Sequence, residues 1–146
     1  MHAAPAPVYA RPHRIRFSEC DPAGIVFFPQ YFVMLNGLVE DWFDDALGLG
    51  YREVVAGRQI GLPSVRLEAD FKAVSRFGDD VSLQLQVERL GQKSLTLLHR
   101  CVSADGGELR MGLRQTLVTT SLQTHRAIEV PADIRRAIDR FSQQGS

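Results

Sequence analysis

Only two cysteines, Cys20 and Cys101, occur in the 146 residues, too few for a disulfide framework and not in the paired spacing of a metal site. A reducing compartment, the cytoplasm, is therefore the expected location. Neither sign of charge is in excess: 17 Lys and Arg balance 17 Asp and Glu, for a formal net charge of zero. No whole-molecule field draws the chain to nucleic acid or to an anionic membrane, so any anion site must be local. No apolar run approaches the roughly 18 residues that cross a bilayer. The opening "MHAAPAPVYARPH" has no basic segment followed by an apolar one, so neither export nor membrane insertion is expected. G-x-S-x-G, H-E-x-x-H and C-x-x-C are all missing. His2, His13, His99 and His125 are scattered without ligand spacing, and no metal is expected. "GQKS" at 91–94 imitates the end of a phosphate loop with its glycine one position too early; "GLGYRE" at 48–53 follows a helix and has Glu53 where a dinucleotide loop needs glycine.

What is present is a pattern. With 45% apolar residues the chain is long enough to close one core. Residues 1–12, rich in Ala and Pro, read as a flexible lead, 13–143 as a single domain and 144–146 as a tail. His13 to Phe17 alternates as a short first strand. Phe32, Leu35, Val39, Trp42 or Phe43, and Ala46 recur at helical spacing. Pro29 suits the first turn and "GLG" at 48–50 the stop, so a helix is predicted over 29–47. Val33, Met34 and Leu38 widen its apolar surface past what a flat sheet covers, so something must wrap it.

Four period-two segments supply the wrapping. Val65, Leu67, Ala69 and Phe71 share a face, as do Val81, Leu83, Leu85 and Val87; so do Leu95, Leu97, His99 and Cys101, and then Leu109, Met111, Leu113 and Leu117. "SADGGE" at 103–108 marks a hairpin, and a last helix runs from Pro131 to about Ser142. The fold class expected is α+β, a hotdog: an antiparallel five-stranded sheet around one long central helix, plus a C-terminal helix. Its edge strands favour pairing with a second copy, as a dimer or dimer of dimers.

Chemistry concentrates in "ECDPAGIVFFPQYF", residues 19–32. Asp21 lies at the head of an apolar loop that returns to a helix N-terminus, where free N–H groups favour an anion or a developing oxyanion. An Asx-turn aspartate is the plain alternative for Asp-Pro-x-Gly. An acyl carbonyl placed with its oxygen on those N–H groups faces the Asp21 carboxylate. A lone carboxylate asks for an activated substrate, and a thioester, whose thiolate leaves readily, qualifies. Cys20 has no base beside it in sequence and reads as a small buried residue.

"DPAGIVFFPQYF" resembles the signature of the 4-hydroxybenzoyl-CoA thioesterase family of hotdog enzymes, and "GDDV", "QKS" and "RAIEVPAD" at 126–133 extend the likeness across residues 13 to about 135. The resemblance implies an acyl-CoA thioesterase with Asp21 as nucleophile or general base and the Phe28 backbone N–H polarising the carbonyl. It implies Lys93, Ser94 and Arg126 as contacts to CoA, which is substrate rather than cofactor; no separate cofactor is implied. The family's helix aspartate that meets a phenol is Asn36 here. Phe27, Phe28 and Tyr31 around the helix start, with Asn36 two turns on, suggest a short aromatic acyl group, Phe27, Tyr31 and Asn36 touching it. Two other readings stay open: a thioesterase for carrier-protein thioesters, and a non-catalytic acyl-CoA sensor.

Overall fold

The structure, a computed structural model, describes residues 6–144. In chain order the elements are β1 (Tyr9–Arg14), α1 (Phe28–Asp41), β2 (Ile60–Gly61), β3 (Ser64–Phe71), β4 (Asp80–Leu90), β5 (Ser94–Ser103), β6 (Leu109–Val118), β7 (Thr120–Ser121) and α2 (Ala132–Ser142). Five of the strands form one antiparallel sheet in the order β1-β4-β5-β6-β3, and β2 and β7 pair separately. This is the hotdog arrangement expected from the period-two segments.

Alternation puts one face of each central strand inward. Val81, Leu83 and Leu85 of β4, Leu95, Leu97 and Cys101 of β5, and Met111, Leu113 and Leu117 of β6 are all buried. They receive α1, which buries Tyr31, Met34, Leu35, Leu38 and Val39. The helix continues through a π-helical turn, Trp42–Leu47, and stops at Gly48, whose φ of 67° ends it in the left-handed region. Regular α-geometry separates adjacent side chains by roughly 100°; across this wider turn Trp42 and Phe43 are both fully buried. The amphipathic α2 closes the open side with Ile134, Ala137, Ile138 and Phe141, the Phe141 ring lying 5.5 Å from that of Trp42.

Several sequence expectations are corrected. The first strand lies over 9–14, not 13–17, so residues 9–12 of the supposed flexible lead belong to the sheet; residues 1–5 fall outside those described. Tyr9 and Arg11 are tied to Asp45 at 2.7 and 2.9 Å, and an edge position tolerates Pro12. Ile15 is buried but leaves the ladder, because its N–H and C=O are taken by Asp79 and Gly78. The short strands β2 and β7 and a π-helical segment, Glu53–Gly57, had not been foreseen. On β3 the apolar face is only partly covered: Val65, Leu67 and Phe71 are 61%, 45% and 50% exposed. The register slips between Ser64 and Arg66, and β3 is an edge strand, paired in the five-stranded sheet with β6 alone among the described residues.

Candidate active site

The loop that carries Asp21 is fixed by its own backbone. The Asp21 N–H donates to the Ile25 carbonyl and the Gly24 N–H to the Asp21 carbonyl, both at 2.9 Å. Gly24 sits at φ 79°, a conformation that L side chains rarely adopt. The Ala23 N–H donates to Asp21 Oδ1 at 2.8 Å. That bond is the Asx turn of the plain alternative, and it uses one oxygen; among the described residues nothing bonds Oδ2. The two readings are therefore compatible: one oxygen orients the carboxylate and the other stays available.

The loop is stitched to residues 75–77, with the Val26 N–H donating to the Ser75 carbonyl at 2.9 Å and the Phe77 N–H to the Gly24 carbonyl at 3.0 Å. Beneath it lies a polar frame. Tyr31 is buried, and its hydroxyl donates to Ser75 Oγ at 2.8 Å. Arg110 Nη1 donates to Asp79 Oδ2 at 2.9 Å and to the Val74 carbonyl at 3.1 Å. The N–H of Arg76, then the Arg110 guanidinium, hold the Asp79 carboxyl below the usual carboxylate range. None of Ser75, Asp79 and Arg110 stood out in the sequence, because their partners come from separate strands.

Helix α1 begins directly after this loop. The Phe27 N–H is spent on the Glu19 carbonyl at 2.9 Å, Pro29 has no N–H, and the Gln30 N–H donates to the Phe27 carbonyl at 2.8 Å. The Phe28 N–H has no acceptor among the described residues, as the first donors of a helix lack intrahelical partners. Around it Phe27 and Phe28 are exposed, their ring centroids 5.6 Å apart, and Phe28 contacts Phe32 and Phe71 edge-on at 6.4 and 6.1 Å. Burial, with Glu19 and Asp21 nearby, pushes the Cys20 thiol up, which disfavours a thiolate there.

One turn further along α1 a pocket of about 340 Å³ opens between the helix and strands β3 and β6. Its walls are Phe32, Val33, Leu35, Leu67 and Leu113, and its polar groups are Asn36, Ser64 and Gln115. Asn36 is exposed and meets the pocket; Tyr31 does not line it, its hydroxyl being engaged in the frame.

Lys93, Ser94 and Arg126 gather elsewhere. The Lys93 carbonyl accepts the Thr119 N–H, and the Arg126 carbonyl accepts the Ser121 N–H, both at 2.9 Å, so the two residues flank the segment 119–121. Ser94 borders a depression of about 470 Å³ with Arg66, Arg89 and Arg114, three cations the sequence reading did not select. The even-numbered register of Arg66 and Arg114 with Thr96 and Thr116 was the available signal; Arg89 joins them only through the register shift between Val87 and Arg89. This cluster and the Asp21 loop lie at opposite ends of β4, whose eleven residues span about 33 Å. One chain does not bring them together.

The geometry has counterparts among known proteins. The thioesterase-like superfamily matches residues 15–138. The chain is 31% identical over 126 residues to a 4-hydroxybenzoyl-CoA thioesterase of Pseudomonas sp. (strain CBS-3), covering 82% of this chain and 89% of that one. It is 27% identical over 129 residues to a 1,4-dihydroxy-2-naphthoyl-CoA hydrolase of Synechococcus sp. (strain CC9311), covering 82% and 83%. The crystal structure of a 4-hydroxybenzoyl CoA thioesterase mutant complexed with 4-hydroxybenzoyl CoA superposes with a TM-score of 0.81 at 29% identity, covering 91% of this chain and 99% of that one. The fold and the matched residues together place the chain in the class of hotdog thioesterase-like proteins. The chain belongs to the thioesterase-like superfamily, in the 4-hydroxybenzoyl-CoA thioesterase family that its loop motif resembles.

Proposed function

We propose that the protein hydrolyses aromatic acyl-CoA thioesters to the free acid and CoA. Two features of one loop support this reading: the Asp21 carboxylate, whose Oδ2 has no partner among the described residues, and, seven positions on at the helix start, the Phe28 N–H, which has no acceptor among them. The thioester oxygen sits on the Phe28 N–H, where a hydrogen bond strengthens as negative charge develops. Asp21 either attacks the carbonyl carbon, giving a mixed anhydride that water then opens, or takes a proton from the attacking water; CoA leaves as the thiolate. Leu35 bounds a pocket of about 340 Å³, which suits a ring better than an alkyl tail of a dozen carbons. The relatives named for hydroxybenzoyl and dihydroxynaphthoyl thioesters support the same substrate class.

The nucleotide end of CoA is held by Lys93 and Arg126, cations suited to phosphate, and by the Ser94 hydroxyl. Since these lie about 33 Å from the Asp21 end of the same sheet, the working site is shared between two copies. Edge strand β3 is the surface that joins them: Leu67 and Phe71 leave it apolar and half open, whereas the opposite edge, β1, carries Pro12, Arg11 and Arg14. Antiparallel pairing of β3 with its symmetry mate brings the Lys93 end of one copy toward the Asp21 end of the other. The free Cys20 and Cys101 fit a cytoplasmic enzyme.

Thiol release from benzoyl-, hydroxybenzoyl-, phenylacetyl-, butyryl-, hexanoyl- and palmitoyl-CoA tests the substrate class, and Asp21→Asn tests the mechanism. Expected are aryl substrates ahead of palmitoyl-CoA and a kcat loss of at least about a hundredfold in Asp21→Asn. Palmitoyl-CoA leading by tenfold overturns the first; Asp21→Asn activity within tenfold of wild type overturns the second.

A further inference from the structure

The floor of the pocket beside Asn36 holds a polar chain that the fold itself does not require. Gln115 replaces an apolar residue in the inward series of β6 and is 5% exposed. Both ends of its amide are engaged: Oε1 with His99 Nε2 at 2.8 Å, and Nε2 with Ser64 Oγ at 2.9 Å. An amide oxygen only accepts, so His99 Nε2 carries the proton and donates. His99 Nδ1 is then a bare acceptor, buried with no hydrogen-bond partner among the described residues. The Gln115 amide nitrogen donates to Ser64, occupying an acceptor site on the hydroxyl. The remaining capacity of Ser64 includes its own O–H proton, which meets no acceptor among the described residues, and Ser64 lines the pocket. Leu85 and Leu113, the residues opposite His99 on the neighbouring strands, carry no charge, and Cys101 is two positions along its own strand.

Burying an amide and an imidazole costs free energy unless each is bonded. A well-packed apolar pair would fill the same space at less cost, so the chain is retained for what it presents. What it presents is the hydroxyl of Ser64, an exposed residue at the mouth of a pocket whose apolar walls include Phe32, Leu35 and Leu113. Asn36, eight residues and about 12 Å along the helix from the Phe28 amide, brings a second polar group to the same pocket. That spacing suits a single ring carrying a hydrogen-bonded oxygen at its far end.

Building on the thioesterase reading, we infer that Ser64, held by Gln115 and His99, is a specificity-determining donor for an oxygen acceptor at the distal end of the acyl group. The oxygen-bearing aroyl thioesters for which the relatives are named would meet this donor through the lone pair of their oxygen. Gln115 and His99 act as positioning residues, fixing the direction in which the serine proton points.

The test compares kcat/KM for benzoyl-CoA with its 3- and 4-hydroxy, 4-methoxy and 4-amino derivatives in wild type, Ser64→Ala and Ser64→Thr. Wild type should prefer the hydroxy and methoxy thioesters over benzoyl-CoA by about fivefold or more, the scale of one neutral hydrogen bond. The amino group matches the hydroxyl in size but accepts poorly, and should give no such gain. Ser64→Ala should remove the preference, lowering the hydroxy and methoxy thioesters about fivefold more than benzoyl-CoA, and Ser64→Thr, which keeps the hydroxyl, should retain it. The inference is overturned if Ser64→Ala lowers every substrate alike, if it changes none, or if amino and hydroxy thioesters are equivalent. Hydrolysis of benzoyl-CoA without any oxygen preference overturns this inference alone. Failure to hydrolyse any aryl thioester overturns the aromatic-thioesterase reading and the inference together.

Discussion

Acidification should destabilise this protein through one buried histidine. His99 is 1% exposed, and burial holds its pKa down to about 4 from 6.5, the hydrogen bond to Gln115 pulling the other way. In the unfolded chain the ring takes up its proton near pH 6.5; in the folded protein not until about pH 4. Between those values the unfolded state binds more protons, so stability rises with pH and falls as pH drops through that window. At roughly 1.36 kcal/mol for each pH unit of displacement, the loss accumulates to about 3 kcal/mol by pH 4. That is a large part of the 5–15 kcal/mol typical of a domain. Carboxylates such as Asp79, held low by Arg76 and Arg110, also lose stabilising contacts in acid, so the histidine must be isolated by difference. Urea unfolding of wild type and His99→Gln at pH 7, 5.5 and 4, at one protein concentration, provides it. Wild type should lose about 3 kcal/mol more than the variant between pH 7 and pH 4. Parallel pH profiles, with a difference under about 1 kcal/mol, would refute the claim that this ring is neutral because it is buried.

Two further outcomes are expected from the shared-site geometry. Replacing Lys93 or Arg126 by Ala should raise KM for CoA thioesters more than it lowers kcat, while thioesters of short pantetheine fragments stay unaffected; equal losses on both would remove the nucleotide role. Mixing Asp21→Asn with a Lys93→Ala/Arg126→Ala double variant, after dissociation and reassociation, should restore up to about a quarter of wild-type activity at low substrate concentration, because half the dimers are mixed and each then holds one intact site. Sedimentation that finds only monomers, or mixing that restores nothing, would argue for a site within one chain.

The sheet was legible where its two faces differ in chemistry. In β4, β5 and β6 inward Leu, Val and Met alternate with Ser, Gln, Arg and Thr, so period and burial coincide. It was illegible at β1, where Tyr9 and Arg11 hold the strand through Asp45, 34 or more positions away, and Pro12 and Arg14 look like a loop. The two-residue strands β2 and β7 are too short for any period. Asp21 and the Phe28 amide were readable because they belong to one continuous stretch. The chain from His99 through Gln115 to Ser64 was not, since it runs across three strands and depends on register. Its one local trace was Gln115 itself, a polar interruption in the run Met111, Leu113, Leu117. Tyr31 was expected against the acyl group, yet its hydroxyl is committed to Ser75; nothing in the spacing of residues 31 and 75 reports that bond.

The start of α1 has a consequence for how this site can drift. Because Pro29 has no N–H and the Phe27 and Gln30 amides are spent, the Phe28 N–H is left there without an acceptor among the described residues. Apart from proline, no substitution at position 28 can delete that donor. In the proposed reaction, the chemical duty of the position is thus written in its neighbours: in Pro29, in the left-handed glycine at 24 and in the length of the loop. The Phe28 ring, relieved of that duty, is free to vary with the acyl group it faces, so lineages can exchange substrates here while the device that polarises the carbonyl is inherited intact.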